Sequence, residues 1–228
     1  SFADQHLGKK PVSAIIFTHS HIDHFGGVLG VISAEEAAER AIPVIAPQGF
    51  MAEATSENVI AGIAMGRRAA YQFGRPLPAS ARAYVDTGLG KAVPFGQYGI
   101  LAPTRVVDHT PQEMAVDGVR FIFQFTPESE APAELTFYLP DSRAFCGAEI
   151  VSRNMHNLYT LRGAKVRDAL KWSHYIDEAM TLFGEAEIYF ACHHWPIWGN
   201  GKIINFLEKQ RDLYKYIHDQ TMRLANAG

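Results

Sequence analysis

Residues 12–17 (Val-Ser-Ala-Ile-Ile-Phe) form an apolar run that reads as a buried strand, and a polar, histidine-rich stretch follows at once. Residues 43–46 predict a second short buried strand, closed by Pro47. Between them Ser33-Ala34-Glu35-Glu36 fits a capping box, in which the serine and a glutamate three residues on satisfy orphan amides of a helix start. A short helix should run from there to about Arg40. Alternating and apolar runs at 100–102, 105–107, 113–116 and 119–125 predict further strands. Residues 135–139 and 144–146 flank Pro140-Asp141-Ser142-Arg143, a turn sequence, and read as a hairpin. Helices are expected at 165–183 and 203–226, with a strand at 188–192 between them. In the last helix Ile203, Ile204, Leu207, Leu213, Tyr214 and Ile217 make one apolar stripe suited to packing on a sheet.

Two stretches break this regular pattern. A long helical run at 49–71 contains Gly62 and Gly66, each costing up to about 1 kcal/mol relative to alanine in a helix interior. Close packing is the simplest reason for them, with approach of a ligand as the other. Residues 74–99 hold five glycines and three prolines, too long a connection for an ordinary loop and suited to lining a substrate.

With 228 residues and 47% apolar composition, the chain can bury one sizeable core, and a single domain is expected. The net charge of −3, with no lysine or arginine block, lacks the footprint of a nucleic-acid-binding protein. No apolar run approaches the roughly 20 residues a membrane-spanning helix needs. Cys146 and Cys192 are too few for a disulfide framework and read as buried free thiols.

The candidate chemistry lies in Thr18-His19-Ser20-His21-Ile22-Asp23-His24-Phe25-Gly26-Gly27. Neutral imidazoles and a carboxylate suit zinc and similar divalent ions. In an extended His-x-His both rings point to one side, and the Asp23-His24 pair turns toward a second position. Two metals roughly 3.5–4 Å apart would fit.

This motif resembles the signature of the metallo-β-lactamase superfamily, which implies an α/β fold, an αββα sandwich with one or two metals at the edge between its sheets. The chain opens Ser1-Phe2-Ala3-Asp4, and its first strand already feeds the metal loop, whereas the family places several strands earlier. The resemblance therefore implies a core belonging to a longer polypeptide, with N-terminal strands missing at the front. A signature of this kind fixes a superfamily and not a substrate.

Two further stretches narrow the branch. The family usually carries His or Asp just before and just after the hairpin; here those places hold Thr126-Pro127-Glu128-Ser129-Glu130-Ala131-Pro132-Ala133-Glu134 and Gly147-Ala148-Glu149. Carboxylates can replace imidazole on zinc and can bridge two metals. With Cys192-His193-His194-Trp195-Pro196, these segments are similar to the alkyl sulfatase branch over nearly all of the chain. That resemblance implies two Zn2+ ions: His19, His21 and Glu130 on the first, Asp23, His24 and His194 on the second, and Glu149 bridging. Asp23 and Glu149 are then catalytic as well as ligating. Neighbouring side chains on a strand face opposite ways, so only one of His193 and His194 should ligate; the residues alone leave the choice even, and the resemblance selects His194. His193 would stand behind it, orienting a carboxylate. Glu128 and Glu134 read as solvated or hydrogen-bonded carboxylates, and His109 as a rival ligand on the wrong strand end.

The segment Asn154-Met155-His156-Asn157-Leu158-Tyr159-Thr160-Leu161-Arg162-Gly163 leads into a helix. An arginine fork and an amide can satisfy two of a sulfate ester's three peripheral oxygens. The resemblance maps this sulfate cradle to Asn157 and Arg162; the alternative is that Arg162 only pairs near the helix start. Trp195 and Trp198 could wall an alkyl chain or belong to the core. The implied activity is hydrolysis of dodecyl sulfate-like esters to alcohol and sulfate by a metal-bound hydroxide, as a homodimer formed through segments outside this chain, in the periplasm or secreted. The residues leave open attack at sulfur or carbon, and primary or secondary esters. The rivals are a thioester, lactone or phosphodiester hydrolase of the same fold, which should keep His and Asp where Glu130 and Glu149 stand, and a non-catalytic metal-binding module.

Overall fold

Alternation along two strands explains the layers. The structure, a computed structural model, describes residues 2–83 and 96–228. Val44 and Ala46 of strand β2 (Val44–Pro47) pack with helices, while Ile45 between them faces the opposite side. Likewise Tyr138 and Phe137, neighbours on β6 (Leu135–Leu139), belong to different apolar clusters. Each sheet is thus apolar on both faces, one turned to helices and one to the other sheet.

The smaller sheet is parallel, in the order β1 (Ile15–Ile16), β2, β3 (Arg105–Val107). The larger has six strands in sequence order: β4 (Gln112–Val116), β5 (Val119–Phe125), β6, β7 (Ala144–Cys146), β8 (Ile188–Phe190) and β9 (Ile197–Trp198). In this sheet only β7 and β8 pair in parallel, because a helix intervenes between them. The β4–β5 hairpin closes through Asp117 and Gly118, both at positive φ, a pair that tolerates the left-handed turn matching strand twist. Ile45, Val107, Val116, Phe123 and Leu135 fill the space between the sheets.

Helices cover both outsides. On the smaller sheet lie α2 (Ile22–Phe25), α3 (Ala34–Glu39) and α4 (Phe50–Thr55), where the rings of Phe17 and Phe50 stack at 4.9 Å. On the larger lie α6 (Ala169–Phe183) and α7 (Asn200–Ala227), joined by a Trp172–Tyr214 stack at 4.3 Å. The expected stripe of α7 is anchored by Ile203, Leu207 and Tyr214, all buried. The result is the αββα sandwich. A short helix, α1 (Phe2–Leu7), precedes β1.

Ser33 caps α3 as expected, accepting from Glu36 N at 3.1 Å. Several boundaries differ from the sequence reading. The helix expected from 165 starts at Ala169, because the Asp168 carboxylate accepts from the amides of Leu170 and Lys171. Residues 100–102 join no ladder. The helix expected over 49–71 is interrupted by a π-helical turn at Ser56–Ile60 and resumes as α5 (Gly62–Gln72). Of the long excursion, residues 84–95 lie outside the described residues.

The sheets are stitched at one edge. Leu135 N donates to Thr18 O at 2.8 Å, and His19 pairs with Glu134 in an isolated antiparallel bridge. The end of β1 and the start of β6 therefore meet where the histidine motif leaves the sheet.

Candidate metal centre

His19, His21, Glu130 and Glu149, all buried, converge so that one ligand atom from each lies within 4.8 Å of the others. Asp23, His24 and His193 form an adjoining group by the same measure. Glu149 sits between the two, with Oε2 at 3.1 Å from His19 Nε2, 3.0 Å from His24 Nε2 and 3.5 Å from His193 Nε2. Glu130 Oε2 lies 3.0 Å from His21 Nδ1. His156 touches both carboxylates, Nε2 being 3.3 Å from Glu130 Oε1 and 3.2 Å from Glu149 Oε1. A third set, His19, His24 and Cys192, brings a thiol within the same 4.8 Å reach of two of these histidines.

Local chain geometry aims the two glutamates. Glu149 follows Gly147 and a left-handed Ala148. A Cβ on Gly147 would stand 2.3 Å from the Tyr189 hydroxyl, so only glycine lets the turn lie on that ring. Glu130 belongs to a loop organised by Glu134, which is fully buried. One Glu134 oxygen accepts from Ala131 N at 3.0 Å and lies 3.1 Å from Ser129 Oγ, while the other accepts from Glu149 N at 3.1 Å. A single carboxylate thus braces the backbone on either side of the cluster.

The electrostatics follow from packing. Burial pushes His19 down, whereas His21, also buried, is carried up to about 9 by the Glu130 charge. Contacts with Asp23, Cys192 and Glu149 outweigh burial at His24 and carry it up to about 12. His24 holds Asp23, whose side chain is part-exposed, down at about 2, and against full burial His21 holds Glu130 down at about 2. Four histidines, His156 first among them, keep Glu149 well below the ordinary carboxylate range despite its burial. Burial together with the Glu130 charge pushes Glu134 up to about 8, the opposite direction.

The cluster floors a cavity of about 850 Å3. One wall is α5, through Gly62, Met65, Gly66 and Ala69; another carries Asn157 and Arg162. A Cβ at Gly66 would meet nothing within 4 Å, and one at Gly62 only the Glu57 carbonyl at 3.8 Å. Close packing therefore does not account for these glycines. They widen the cavity.

Comparison with known proteins matches residues 2–193 to the metallo-beta-lactamase superfamily. The chain belongs to that superfamily. Among curated relatives, the alkyl/aryl-sulfatase BDS1 of Saccharomyces cerevisiae is 47% identical over 225 residues, covering 98% of this chain and 35% of the relative. A linear primary-alkylsulfatase of a Pseudomonas species is 44% identical, covering 98% and 33%. Among solved structures, the stereoselective inverting sec-alkylsulfatase Pisa1 of a Pseudomonas species superposes with a TM-score of 0.93 at 40% identity, covering 98% and 36%. The chain spans about a third of the length of these relatives. The metallo-β-lactamase of Pontibacter korlensis, at 15% identity and a TM-score of 0.56, shares the fold.

Metal ions are what this superfamily holds, and the residues suit them. The donor set is imidazole and carboxylate, and two buried atoms within it, His19 Nε2 and Glu130 Oε2, make no hydrogen bond. A cation would satisfy both.

Of the ligands expected from sequence, His19, His21, Asp23, His24, Glu130 and Glu149 are brought together. His194 is not among the grouped residues; His193 takes that place. The reason is local: β8 ends at Phe190, so strand alternation no longer governs residues 193 and 194; His194, at φ 71°, lines the same cavity but stands outside the ligand groups. His109 is exposed and paired with Asp108 at 2.6 Å, apart from the cluster. Glu128 is an exposed partner of Lys171. Trp195 and Trp198, at 82% and 61% exposure, are neither core nor part of the cavity wall. Both cysteines are free, Cys146 buried and Cys192 partly so. Arg162 Nη2 donates to Glu57 Oε1 at 3.2 Å, so its partner is not a group near the helix start.

Two neighbours escaped the sequence reading, Arg167 and Glu57, and a third, His156, stood out in it without an assigned role. His156 had a signal, adjacency to Asn157 in a segment already suspect. Arg167, beside the capping Asp168, and Glu57, inside a helical run, had none.

Proposed function

We propose that this chain is the catalytic core of an alkyl sulfatase that hydrolyses dodecyl sulfate-like esters to alcohol and sulfate at a centre of two zinc ions. The observation that carries the reading is the meeting, in one cavity, of a His/carboxylate cluster with Asn157, Arg162 and an apolar helix face. The identity of the relatives supports it. The carboxylates at Glu130 and Glu149 favour it over a thioester or phosphodiester hydrolase, for which His and Asp are expected there.

In this reading His19, His21 and Glu130 would hold one ion and Asp23, His24 and His193 the other, Glu149 standing between the two groups. Bound there, zinc would lower the pKa of water toward neutrality and so provide a nucleophile. The protein's own groups do the rest. Arg162 offers a planar fork to the sulfate oxygens. Asn157 is oriented to join it, since Arg167 Nη1 donates to its Oδ1 at 2.5 Å, which turns the NH2 end to the ester. His156 Nδ1 faces Asn157 O at 2.9 Å, fixing the ring with Nε2 against both glutamates. The α5 wall takes the alkyl chain away from water.

Arg162→Ala tests the substrate assignment, because Arg162 belongs to no ligand group. Both metals should stay, while kcat/KM for dodecyl sulfate falls by on the order of 100-fold or more, the loss of a charge-assisted contact in a desolvated site. Arg162→Lys should restore part of it. Parental turnover by the alanine variant with metal intact would refute the sulfate cradle.

A further inference from the structure

The helix leading along the cavity is interrupted at its most informative point. Between α4 and α5 the chain winds as a π-helix over Ser56–Ile60. A π-turn spends an extra residue on weaker hydrogen bonding, and such turns recur at functional sites. Here it brings Glu57 to the cavity wall. Its side chain is 17% exposed and touches two groups that are otherwise unconnected. Oε2 lies 3.5 Å from His21 Nε2, and Oε1 accepts from Arg162 Nη2 at 3.2 Å. The other ring nitrogen of His21, Nδ1, faces Glu130 and the cluster at 3.0 Å. His21 is thus held from both sides, inward by the metal cluster and outward by Glu57. Glu57 itself belongs to none of the ligand groups.

We propose that Glu57 is a positioning residue that couples the metal centre to the anion-binding arginine. Its carboxylate accepts from the Nε2–H of His21, which keeps the proton on Nε2 and leaves the Nδ1 lone pair for metal, the usual duty of a carboxylate behind a metal-binding histidine. Its second oxygen fixes one edge of the Arg162 guanidinium, leaving the remaining N–H groups for the sulfate. One carboxylate accepts from both donors; an amide of the same shape can accept from only one and turns its NH2 group on the other. The Arg162 half rests on the alkyl sulfatase reading. The His21 half rests on the metal centre alone.

The test compares the parent with Glu57→Gln and with the shorter Glu57→Asp, measuring Zn2+ affinity against a chelator, kcat and KM for dodecyl sulfate, and the unfolding midpoint. Both variants should bind Zn2+ about 10–100-fold more weakly at the weakened site. KM should rise about 10-fold, as for a lost charge-assisted contact, with an unfolding midpoint near the parent's. In an Arg162→Ala background the KM effect of Glu57→Gln should vanish while the loss of Zn2+ affinity persists. Parental Zn2+ affinity and KM in both variants would overturn the proposal. Weaker Zn2+ binding with KM unchanged in both variants would overturn the coupling and leave Glu57 a partner of His21 only. Should the parent bind Zn2+ but cleave no alkyl sulfate, the functional reading fails instead, and the Zn2+ arm still decides the His21 contact.

Discussion

Arg167 grips Glu130 at both ends: Nε donates to its backbone carbonyl at 2.5 Å, and Nη2 pairs with its carboxylate. Both side chains are almost fully buried. The remaining nitrogen, Nη1, donates to the carbonyl and side chain of Asn157 at 3.0 and 2.5 Å. One guanidinium therefore joins a proposed metal ligand to the proposed sulfate wall, and the two cannot move independently.

Arg167→Met should expose how much rests on that fork. Removing one partner of a buried pair costs about 3–5 kcal/mol where the charge left behind has no other partner. His21 also holds the Glu130 charge, so chemical denaturation of the metal-free protein should report a smaller loss for the methionine variant, about 1–3 kcal/mol. Arg167→Lys keeps the charge but not the planar fork, and should lose less stability while still freeing Asn157. A methionine variant within about 1 kcal/mol of the parent would mean that the Glu130 charge is compensated elsewhere.

Metal binding should expel protons. His21 is carried up to about 9 and His24 to about 12, so both are protonated at pH 7 in the metal-free protein. A group raised in the folded state stabilises it fully below its ordinary value, near 6.5, and that contribution is lost as pH rises through the folded value. For His21 the loss therefore falls between about 6.5 and 9. Zinc needs neutral imidazole, so loading at pH 7 should release about two protons, plus any share from His193. Asp23 and Glu130, held at about 2, contribute none. Calorimetry in buffers of different protonation enthalpy measures the number, which should fall toward one above pH 9. Loading without proton release would mean these histidines are not ligands.

How much of this was legible in the chain depended on how far apart the participants lie. Residues 19–24 declare a metal motif because ligand chemistry and strand end are encoded together in one segment. The strands at 119–125 and 135–139 were equally legible from alternation. The choice between His193 and His194 was not, because it depends on where β8 stops pairing, a property of its neighbours β7 and β9. Arg167 sits 37 positions from Glu130, and Glu57 sits 105 from Arg162; nothing local marks either as part of a site. The glycines of α5 were visible, but whether packing or space explained them needed the cavity.

The paired variants His193→Ala and His194→Ala decide the last proposed ligand. His193 Nε2 lies 3.1 Å from His24 Nε2 and 3.9 Å from Asp23 Oδ2, so its removal should empty the second position selectively. Metal analysis of purified protein should find about one ion in the His193 variant and two in the His194 variant, matching the ligand count of three protein donors per catalytic zinc. The reverse result would restore His194 as ligand.

The final expectation concerns chain length and rests on Gly66. A glycine in mid-helix is unfavourable by roughly 1 kcal/mol relative to alanine. With nothing within 4 Å of a Cβ at that position, no packing compensates inside the protein. Gly66→Ala should therefore raise the unfolding midpoint and leave turnover of short alkyl sulfates intact. Gly66→Leu adds a branched side chain to the wall that also holds Met65 and Ala69. If the alkyl chain lies along α5, overlap with leucine should cost about 1–3 kcal/mol, by analogy with overpacked interiors. The ratio of kcat/KM for dodecyl over hexyl sulfate should then drop about 10-fold or more. The hexyl ester is the control, since a damaged metal centre would slow both substrates equally. An unchanged ratio in the leucine variant would place the chain along another wall of the cavity, and the two glycines would then need a different explanation.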